Sequence, residues 1–276
     1  MTDEQKYLFD LNGFILLPGV LTADECKTLR EFVLTLRDDP ESLPEINRHS
    51  LSGPGSMLLD HPALLGILNT IVTGENHQLT KDKEGPIEPE DMPGYLETED
   101  AYAFRCESSA TFIKKAGGRG QSPHAYPRVG PLFGYQCQNQ KIYSGLTRVA
   151  WELVEVGPAD EGTTFIPGSH KASFTTPRHL LEHESPLMQS YNCPEGSVVI
   201  FTESVTHAGG LWNSESPRIA ILNCYSPILA QYHKMDLPSE VIEAMPPKRQ
   251  TLFRGVWGRA PGGKANVFYS RENQAQ

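Results

Sequence analysis

Hydrophobic and polar residues follow two different periods along this chain of 276 residues. Before about residue 100, apolar positions recur at the spacing of helix faces. The clearest case is LTADECKTLREFVLTL, in which Thr22 and Glu25 are placed to cap a helix by reciprocal hydrogen bonds. The stretch HPALLGILNTIV at 61–72 predicts a second helix, with Pro62 in its first turn.

The residues at 6–20, KYLFDLNGFILLPGV, predict a short helix that passes through Asn12 and Gly13 into an apolar strand. The stretch at 80–94, TKDKEGPIEPEDMPG, predicts a solvated loop because it combines acidic residues with glycine and proline.

From about residue 101 the pattern changes to short β-rich runs, namely AYAFRCESSATFIKK, GLTRVAWELVEV, GTTFIPG, GSVVIFTES and RIAILNCYSP. Turn sequences such as PADEG and CPEG separate them. Several short strands with such turns between them are typical of a sandwich or barrel. We therefore predict a single domain over 1–276, with a helical portion at about 1–100, a jelly-roll core at about 101–230 and a C-terminal extension at about 231–276.

Composition narrows the class of protein. The chain is 38% hydrophobic and 21% charged, as is ordinary for a globular protein. Its net charge of -10 argues against a nucleic-acid partner, because binding along a phosphate backbone needs clustered lysine and arginine. The apolar runs are shorter than the roughly 20 residues of a membrane helix, and the acidic N-terminus has no basic leader. With five widely spaced cysteines and no CxxC pair, we expect a cytoplasmic protein with reduced thiols and no membrane partner.

Candidate chemistry lies in the β-rich half. His124 in SPHAYPR and His207 in FTESVTHAGG fall on separate predicted strands, which is what a jelly roll needs to direct two imidazoles at one interior metal. Arg218 starts the next strand, and antiparallel pairing can bring its guanidinium back beside that metal. A buried guanidinium without a partner is costly, so Arg218 favours a bound anionic ligand.

Three motifs carry a family resemblance over most of the chain: LNGFILLPGVLTADEC, IPGSHK, and GSVVIFTESVTH followed by Arg218. They are similar to the N-terminal strand and helix, the most recognisable motif and the distal-histidine segment of the phytanoyl-CoA dioxygenase family. The resemblance implies a mainly β protein with flanking helices, a double-stranded β-helix that holds iron(II) with two histidines and one carboxylate. It also implies 2-oxoglutarate and oxygen as cosubstrates and oxidation, most simply hydroxylation, of a small organic molecule.

Carried onto this sequence, the resemblance makes His124 and His207 the imidazole ligands of the iron. Arg218 then binds the far carboxylate of 2-oxoglutarate, and Trp151 lines that pocket. His170, within IPGSHK, is expected to be a structural member of its turn.

Tyr126 departs from the family pattern, because members commonly have an aspartate two residues after the first histidine. Ligation by its phenolate requires loss of a proton at a cost of about 4 kcal/mol at neutral pH. Two further possibilities are an open coordination position, as in related halogenases, and loss of the metal altogether.

Glu203 is the other candidate for the missing carboxylate, either as a ligand or as a group that orients His207. Residues four apart in a straight strand are about 13 Å apart, too far to bind one ion, whereas a tight bend makes them neighbours. Two glycines after His207 make such a bend credible.

The sequence is therefore consistent with two functions. The first is an iron(II)/2-oxoglutarate-dependent oxygenase, and the second is a jelly-roll binding protein or pseudoenzyme that has lost iron redox catalysis. Arg218 favours the first and Tyr126 favours the second. No feature of the sequence specifies the substrate or an oligomeric state.

Overall fold

A computed structural model describes residues 1–73, 99–125, 132–228, 230–235 and 237–256. The helices are α1 (Asp3–Asn12), α2 (Ala23–Asp38), α3 (Pro62–Ile71), α4 (Ser239–Glu243) and α5 (Pro247–Gln250). The strands are β1 (Phe14–Leu17), β2 (Phe104–Lys114), β3 (Tyr135–Gln138), β4 (Lys141–Ser144), β5 (Thr147–Glu152), β6 (Thr163–Ile166), β7 (Ser197–Thr202), β8 (Thr206–Gly209) and β9 (Arg218–Pro227).

The predicted helix starts are confirmed. The Thr22 hydroxyl accepts from the Glu25 N–H at 3.3 Å, and the Glu25 carboxylate accepts from the Thr22 N–H at 2.8 Å. Pro62 is the first residue of α3. Helix α1 ends at Asn12 and is capped by Gly13, whose φ of 84° is in the left-handed region that glycine adopts without strain, and β1 follows at once.

Three antiparallel sheets lie in the described β-rich part: a larger sheet of five strands, a smaller sheet of β6 and β8, and a separate hairpin of β3 and β4. The larger sheet has the strand order β1-β7-β5-β9-β2. The smaller sheet pairs β6 with β8, and single bridges extend it through His124 on one side and Gln189 on the other. Strand β7 belongs to the larger sheet and β8 to the smaller one, so the chain changes sheet between them. The predicted fold class, mainly β with flanking helices in a jelly roll, is confirmed.

Strand β5 shows how the larger sheet separates two apolar clusters. Val149 and Trp151 pack in a cluster with residues of the helices, whereas Ala150 packs in a cluster with Phe165 and Trp212. Successive side chains of a strand point to opposite faces, so the sheet is apolar on both sides. The face that carries Ala150 is the interior face of the barrel.

One predicted strand is shorter than expected. The run GLTRVAWELVEV predicted a strand to Val156, but β5 ends at Glu152, opposite Ser197, where the partner strand β7 begins. Val156 forms a separate bridge to Cys193. The loop predicted at 80–94 lies outside the described residues.

The five cysteines are free thiols, and only Cys137 is exposed. No helix within the described ranges is both long enough and apolar enough to cross a membrane.

Gly19 and Gly196 lie where the N-terminal segment packs against the start of β7. Gly196 (φ 77°) accepts hydrogen bonds from the Val20 and Leu21 N–H groups, and a Cβ there would lie 2.4 Å from the Leu21 carbonyl oxygen. Gly19 (φ 57°) has nothing within 4 Å of such a Cβ. We expect Gly19→Ala to lower the free energy of unfolding by about 1 kcal/mol through backbone strain alone. Gly196→Ala should lower the free energy of unfolding by about 1–3 kcal/mol more than Gly19→Ala does, because the backbone must shift as well.

Urea denaturation of the two variants beside the unmodified protein measures this difference. Equal losses would show that the contact at residue 196 relaxes without cost.

Candidate metal centre

Backbone pairing brings the two predicted histidines together. The His124 N–H donates to the His207 carbonyl at 2.9 Å, and the His207 N–H donates to the His124 carbonyl at 2.8 Å. Residues that exchange both hydrogen bonds lie directly opposite each other, with side chains on the same face. The two ring centroids are 4.2 Å apart. The imidazoles therefore converge, as the sequence predicted.

Glu203 lies at the bend where the chain passes from the larger sheet to the smaller one. Strand β7 ends at Thr202, and the Val205 N–H donates back to the Thr202 carbonyl at 3.1 Å. This turn brings Oε2 of Glu203 to 3.5 Å from Nε2 of His207. His124, Glu203 and His207 each offer one ligand atom, and these three atoms lie within 4.8 Å of one another. The bend that the sequence made credible is present.

The two histidines are held in the same way. Nδ1 of His124 is 2.7 Å from the Ser122 carbonyl oxygen, and Nδ1 of His207 is 2.8 Å from the Val205 carbonyl oxygen. A carbonyl only accepts, so in the neutral rings Nδ1 carries the proton and Nε2 keeps its lone pair. Burial lowers the pKa of His207 to about 4, which keeps the ring neutral at physiological pH. Backbone carbonyls thus set the tautomer that a metal requires.

The position of Glu203 separates its two predicted roles. A group that orients a metal-binding histidine contacts the ring nitrogen that does not face the metal. In His207 that nitrogen is occupied by the Val205 carbonyl, whereas Glu203 approaches Nε2. The geometry favours ligation over orientation. Tyr126, the other candidate donor, lies outside the described residues.

Arg148 holds the second carboxylate oxygen of Glu203. Its Nε donates to Oε1 of Glu203 at 2.5 Å, and its Nη1 donates to the Ser108 hydroxyl at 3.4 Å. Burial raises the pKa of Glu203, but the positive charge of Arg148 outweighs that effect, and the net pKa is lowered. Glu203 is therefore an ionised carboxylate with one oxygen fixed and the other turned toward the histidines.

Arg218 is buried and lines the same cavity, but it already has an anionic partner. Its Nε donates to Oε2 of Glu152 at 2.9 Å, and its Nη2 donates to Oε1 of the same carboxylate. Tyr191 donates its hydroxyl to that carboxylate at 2.6 Å. The inference that Arg218 needs a bound ligand was therefore wrong. Glu152, which follows Trp151 and points to the opposite face, supplies the compensating charge.

Trp151 does not line the cavity, which corrects the prediction made for it. Its indole is completely buried on the helix-facing side of β5, where it packs edge-on against His61 with ring centroids 5.3 Å apart. Strand alternation explains the difference, because Arg148 and Glu152 occupy the interior face and Trp151 must then face outward. His170, expected to be structural, is also away from the cavity and contacts the Asp10 carbonyl through Nε2 at 3.0 Å.

The histidines and Arg218 line one cavity of about 560 Å³, a size ordinary for a small-molecule site. Among the described lining residues, Glu203 is the acid and four are basic: Lys114, Arg119, Arg148 and Arg218. Apolar side chains including Phe112, Phe201 and Leu222 form other parts of the wall.

Sequence reasoning missed Arg148, Glu152 and Lys114. The pattern TRVAWE contains a usable sign, since it places a cation and an acid on one face of an otherwise apolar strand. Lys114 ends β2 directly opposite Arg218, and that pairing depends on the register between two strands far apart in the chain.

Comparison with known proteins finds a family model that matches part of this chain. Residues 94–220 match the family model of phytanoyl-CoA dioxygenase (PhyH). A sequence search among curated proteins gives no match. The match confirms the resemblance recognised in the sequence.

Solved structures with this fold include three proteins of low sequence identity. HygX from Streptomyces hygroscopicus, with nickel, 2-oxoglutarate and hygromycin B bound, is 18% identical with a TM-score of 0.61, over 86% of this chain and 92% of that one. The epimerase SnoN, in complex with Fe³⁺, α-ketoglutarate and nogalamycin RO, is 14% identical with a TM-score of 0.53, over 95% and 91%. The non-heme monooxygenase ThoJ, as its nickel complex, is 14% identical with a TM-score of 0.51, over 99% and 97%.

The donor set predicts that metal affinity depends on Glu203. We expect His207→Ala and Glu203→Gln each to weaken iron(II) binding by at least about 100-fold, since a direct ligand should matter more than a surrounding group. Anaerobic titration calorimetry measures the affinity. His179→Ala, an exposed histidine away from the cavity, is the matched control. Unchanged affinity in the folded Glu203→Gln variant would remove Glu203 from the donor set.

The corrected position of Trp151 gives a second expectation. Trp151→Phe should lower the free energy of unfolding by about 1–3 kcal/mol, because it leaves unfilled volume in the helix-facing cluster. The affinity for 2-oxoglutarate should stay within about twofold of the unmodified protein. A tenfold weaker affinity without loss of stability would restore Trp151 to the pocket.

Proposed function

We propose that this protein is an iron(II)- and 2-oxoglutarate-dependent oxygenase that acts on a small organic molecule, and the match of residues 94–220 to the phytanoyl-CoA dioxygenase family model supports this proposal. The observation that carries the proposal is the convergence of His124, Glu203 and His207 at the wall of a cavity. Two imidazole nitrogens and one carboxylate oxygen are the donor set of non-haem iron oxygenases.

The donor set fits iron(II) in its chemistry. In the tautomer set by the carbonyls at Nδ1, Nε2 of each histidine carries the lone pair that a metal binds, and Glu203 is ionised without a metal. Glu203 would therefore take the place of the aspartate that Tyr126 replaces. When bound, iron(II) supplies the oxygen chemistry that couples decarboxylation of 2-oxoglutarate to oxidation of a substrate.

The protein's own residues have three tasks in this proposal. The Ser122 and Val205 carbonyls hold the imidazoles in the binding tautomer, and Arg148 fixes the direction of Glu203. Arg218 contributes to binding the far carboxylate of 2-oxoglutarate. Apolar residues of the cavity wall keep water from the reacting groups.

Nickel, iron and 2-oxoglutarate in the HygX, SnoN and ThoJ structures support the same cofactors for this chain. The organic ligands in two of those structures support a small-molecule substrate. We place the protein in the cytoplasm, where its free cysteines would stay reduced.

A binding protein without iron chemistry is the second candidate. The pairing of Glu203 with Arg148 favours it, because a carboxylate already neutralised by a guanidinium is a weaker ligand for a cation. The two candidate functions differ in one measurable property: an oxygenase converts 2-oxoglutarate to succinate when iron(II) and oxygen are present, whereas a binding protein does not.

We expect the anaerobic protein with iron(II) and 2-oxoglutarate to develop the visible charge-transfer band of the chelate. Admission of oxygen should then produce succinate, even without the primary substrate, at a slow uncoupled rate. His207→Ala should abolish both results, and His179→Ala should retain both. A wild-type protein that gives neither band nor succinate would refute the oxygenase and leave the binding protein.

A further inference from the structure

Arg105 is a buried guanidinium with no carboxylate beside it. It is the second residue of β2, and 4% of its surface is exposed. Its Nη1 donates to the side-chain oxygen of Gln231 at 3.3 Å, and its Nε is buried without a hydrogen-bond partner in the described part of the chain. No described carboxylate forms an ion pair with it, whereas the buried Arg218 has Glu152. A buried charge is costly without compensation, so this position calls for an anion.

Glu107 lies two residues further along β2, but its carboxylate is already engaged. One oxygen accepts from the Ser226 hydroxyl at 2.6 Å, and the other accepts from the Tyr232 and His233 N–H groups at 3.1 and 2.9 Å. Burial lowers the pKa of Arg105, and the charge of Glu107 raises it without restoring the ordinary value. Glu107 therefore compensates Arg105 only in part.

A second guanidinium faces the same small cavity. Arg105 and Arg254 both line a cavity of about 130 Å³, to which Gln231 also contributes. Arg254 donates from Nη2 to the Tyr102 carbonyl, and burial and the charge of Arg105 both lower its pKa. Two like charges beside one cavity repel each other, and an anion between them offsets that repulsion. The fork of a guanidinium matches the two oxygens of a carboxylate.

The rest of the wall is mostly apolar, which indicates what the anion carries. The apolar lining side chains are those of Met235, Leu237, Ile242 and Phe253. A phosphate would place a strongly hydrated ion against these side chains at a cost, whereas an alkyl chain gains from burial against them. The cavity at the histidines is about 560 Å³, so the smaller cavity admits only a short chain.

This small cavity is separate from the cavity at the histidines. The two have no lining residue in common among the described residues. Arg105 and Lys114 lie at opposite ends of β2, about 30 Å apart at the rise of an extended strand. A ligand at Arg105 is therefore distinct from any ligand of the proposed iron site.

We propose that Arg105 and Arg254 form a binding site for a small aliphatic carboxylate. The two guanidiniums hold the carboxylate group, and the short alkyl chain packs against Ile242 and Phe253. The anion supplies the compensating charge that Arg105 lacks, so its binding stabilises the folded protein. This site goes beyond the proposed oxygenase and does not depend on iron.

Thermal unfolding of the metal-free protein tests the site with three probes at constant ionic strength. Butanoate has the proposed chemistry, butanamide has the same shape without the charge, and inorganic phosphate has charge without the chain. In about 50 mM butanoate the Tm should rise by about 3–5 °C, because the ligand binds only the folded state. Butanamide should shift the Tm by less than about 1 °C, and phosphate should shift it by less than half of the butanoate effect.

Arg105→Met replaces the guanidinium with an apolar side chain of similar length. Without butanoate its Tm should equal or exceed that of the unmodified protein, because an uncompensated buried charge is removed. Its response to butanoate should fall below about 1 °C. Arg254→Gln, at a half-buried position, remains informative if Arg105→Met does not fold, and should raise the Kd for butanoate by about tenfold. Arg178→Gln is the matched control, since this exposed arginine lines neither cavity, and it should respond as the unmodified protein does.

Nuclear magnetic resonance of the unmodified protein locates the bound butanoate. With ¹³C-labelled isoleucine methyl groups, butanoate should shift the signal of Ile242, which is assigned by its disappearance in Ile242→Val. Butanamide should leave that signal in place. Ile113 lines the cavity at the histidines, so a shift of its signal without a shift of Ile242 would place butanoate there and overturn the inference.

Three further results would overturn the inference. They are an unchanged butanoate response in Arg105→Met, a larger response to phosphate than to butanoate, and no response in the unmodified protein. In the last case Asp236→Asn identifies the occupant. Asp236 lies outside the described residues, and a butanoate response that arises only in this variant would mean that its carboxylate fills the site. None of these results bears on the proposed oxygenase, which succinate production tests.

Discussion

Two buried ion pairs, Arg148 with Glu203 and Arg218 with Glu152, set the chemistry of the barrel interior. Charges inside a jelly roll are tolerated only when they are compensated, because the cost of removing an ion from water is several kcal/mol or more. Each guanidinium here has its own carboxylate from a neighbouring strand or bend. The arrangement keeps polar groups in a cavity whose walls are otherwise largely apolar.

Strand β5 contributes to both pairs and so links the two ends of the cavity. Arg148 and Glu152 share its interior face, about 13 Å apart at the spacing of an extended strand. At the first end of the cavity, Arg148 directs Glu203 toward the histidines. At the second end, Glu152 holds Arg218 on the wall next to Lys114. One regular strand thus fixes the distance between the end of the cavity that carries Glu203 and the histidines and the end that carries Arg218.

The N-terminal segment and the helices support this arrangement from outside. Strand β1 lies at the edge of the larger sheet beside β7, and the turn around Gly196 connects that edge to the start of α2 through backbone hydrogen bonds. Trp151 packs under the helices, on the face opposite the ion pairs. The apolar outer face gives β5 and β7 a rigid backing, and a metal site needs such rigidity because ligand positions must be held to fractions of an ångström.

The sequence by itself determined the helix starts, the change from helical to strand periodicity, and the identity of His124, His207 and Arg218 as residues that meet at one site. Those features depend on local hydrogen bonding and on motifs that are contiguous in the chain. The tertiary structure decided which oxygen of Glu203 faces the histidines, that Glu152 compensates Arg218, and that Trp151 faces the helices. Strand alternation divides a sequence into two faces but does not say which face is interior, and cross-strand register joins residues far apart in the chain. Lys114 and Arg218 became neighbours only through that register.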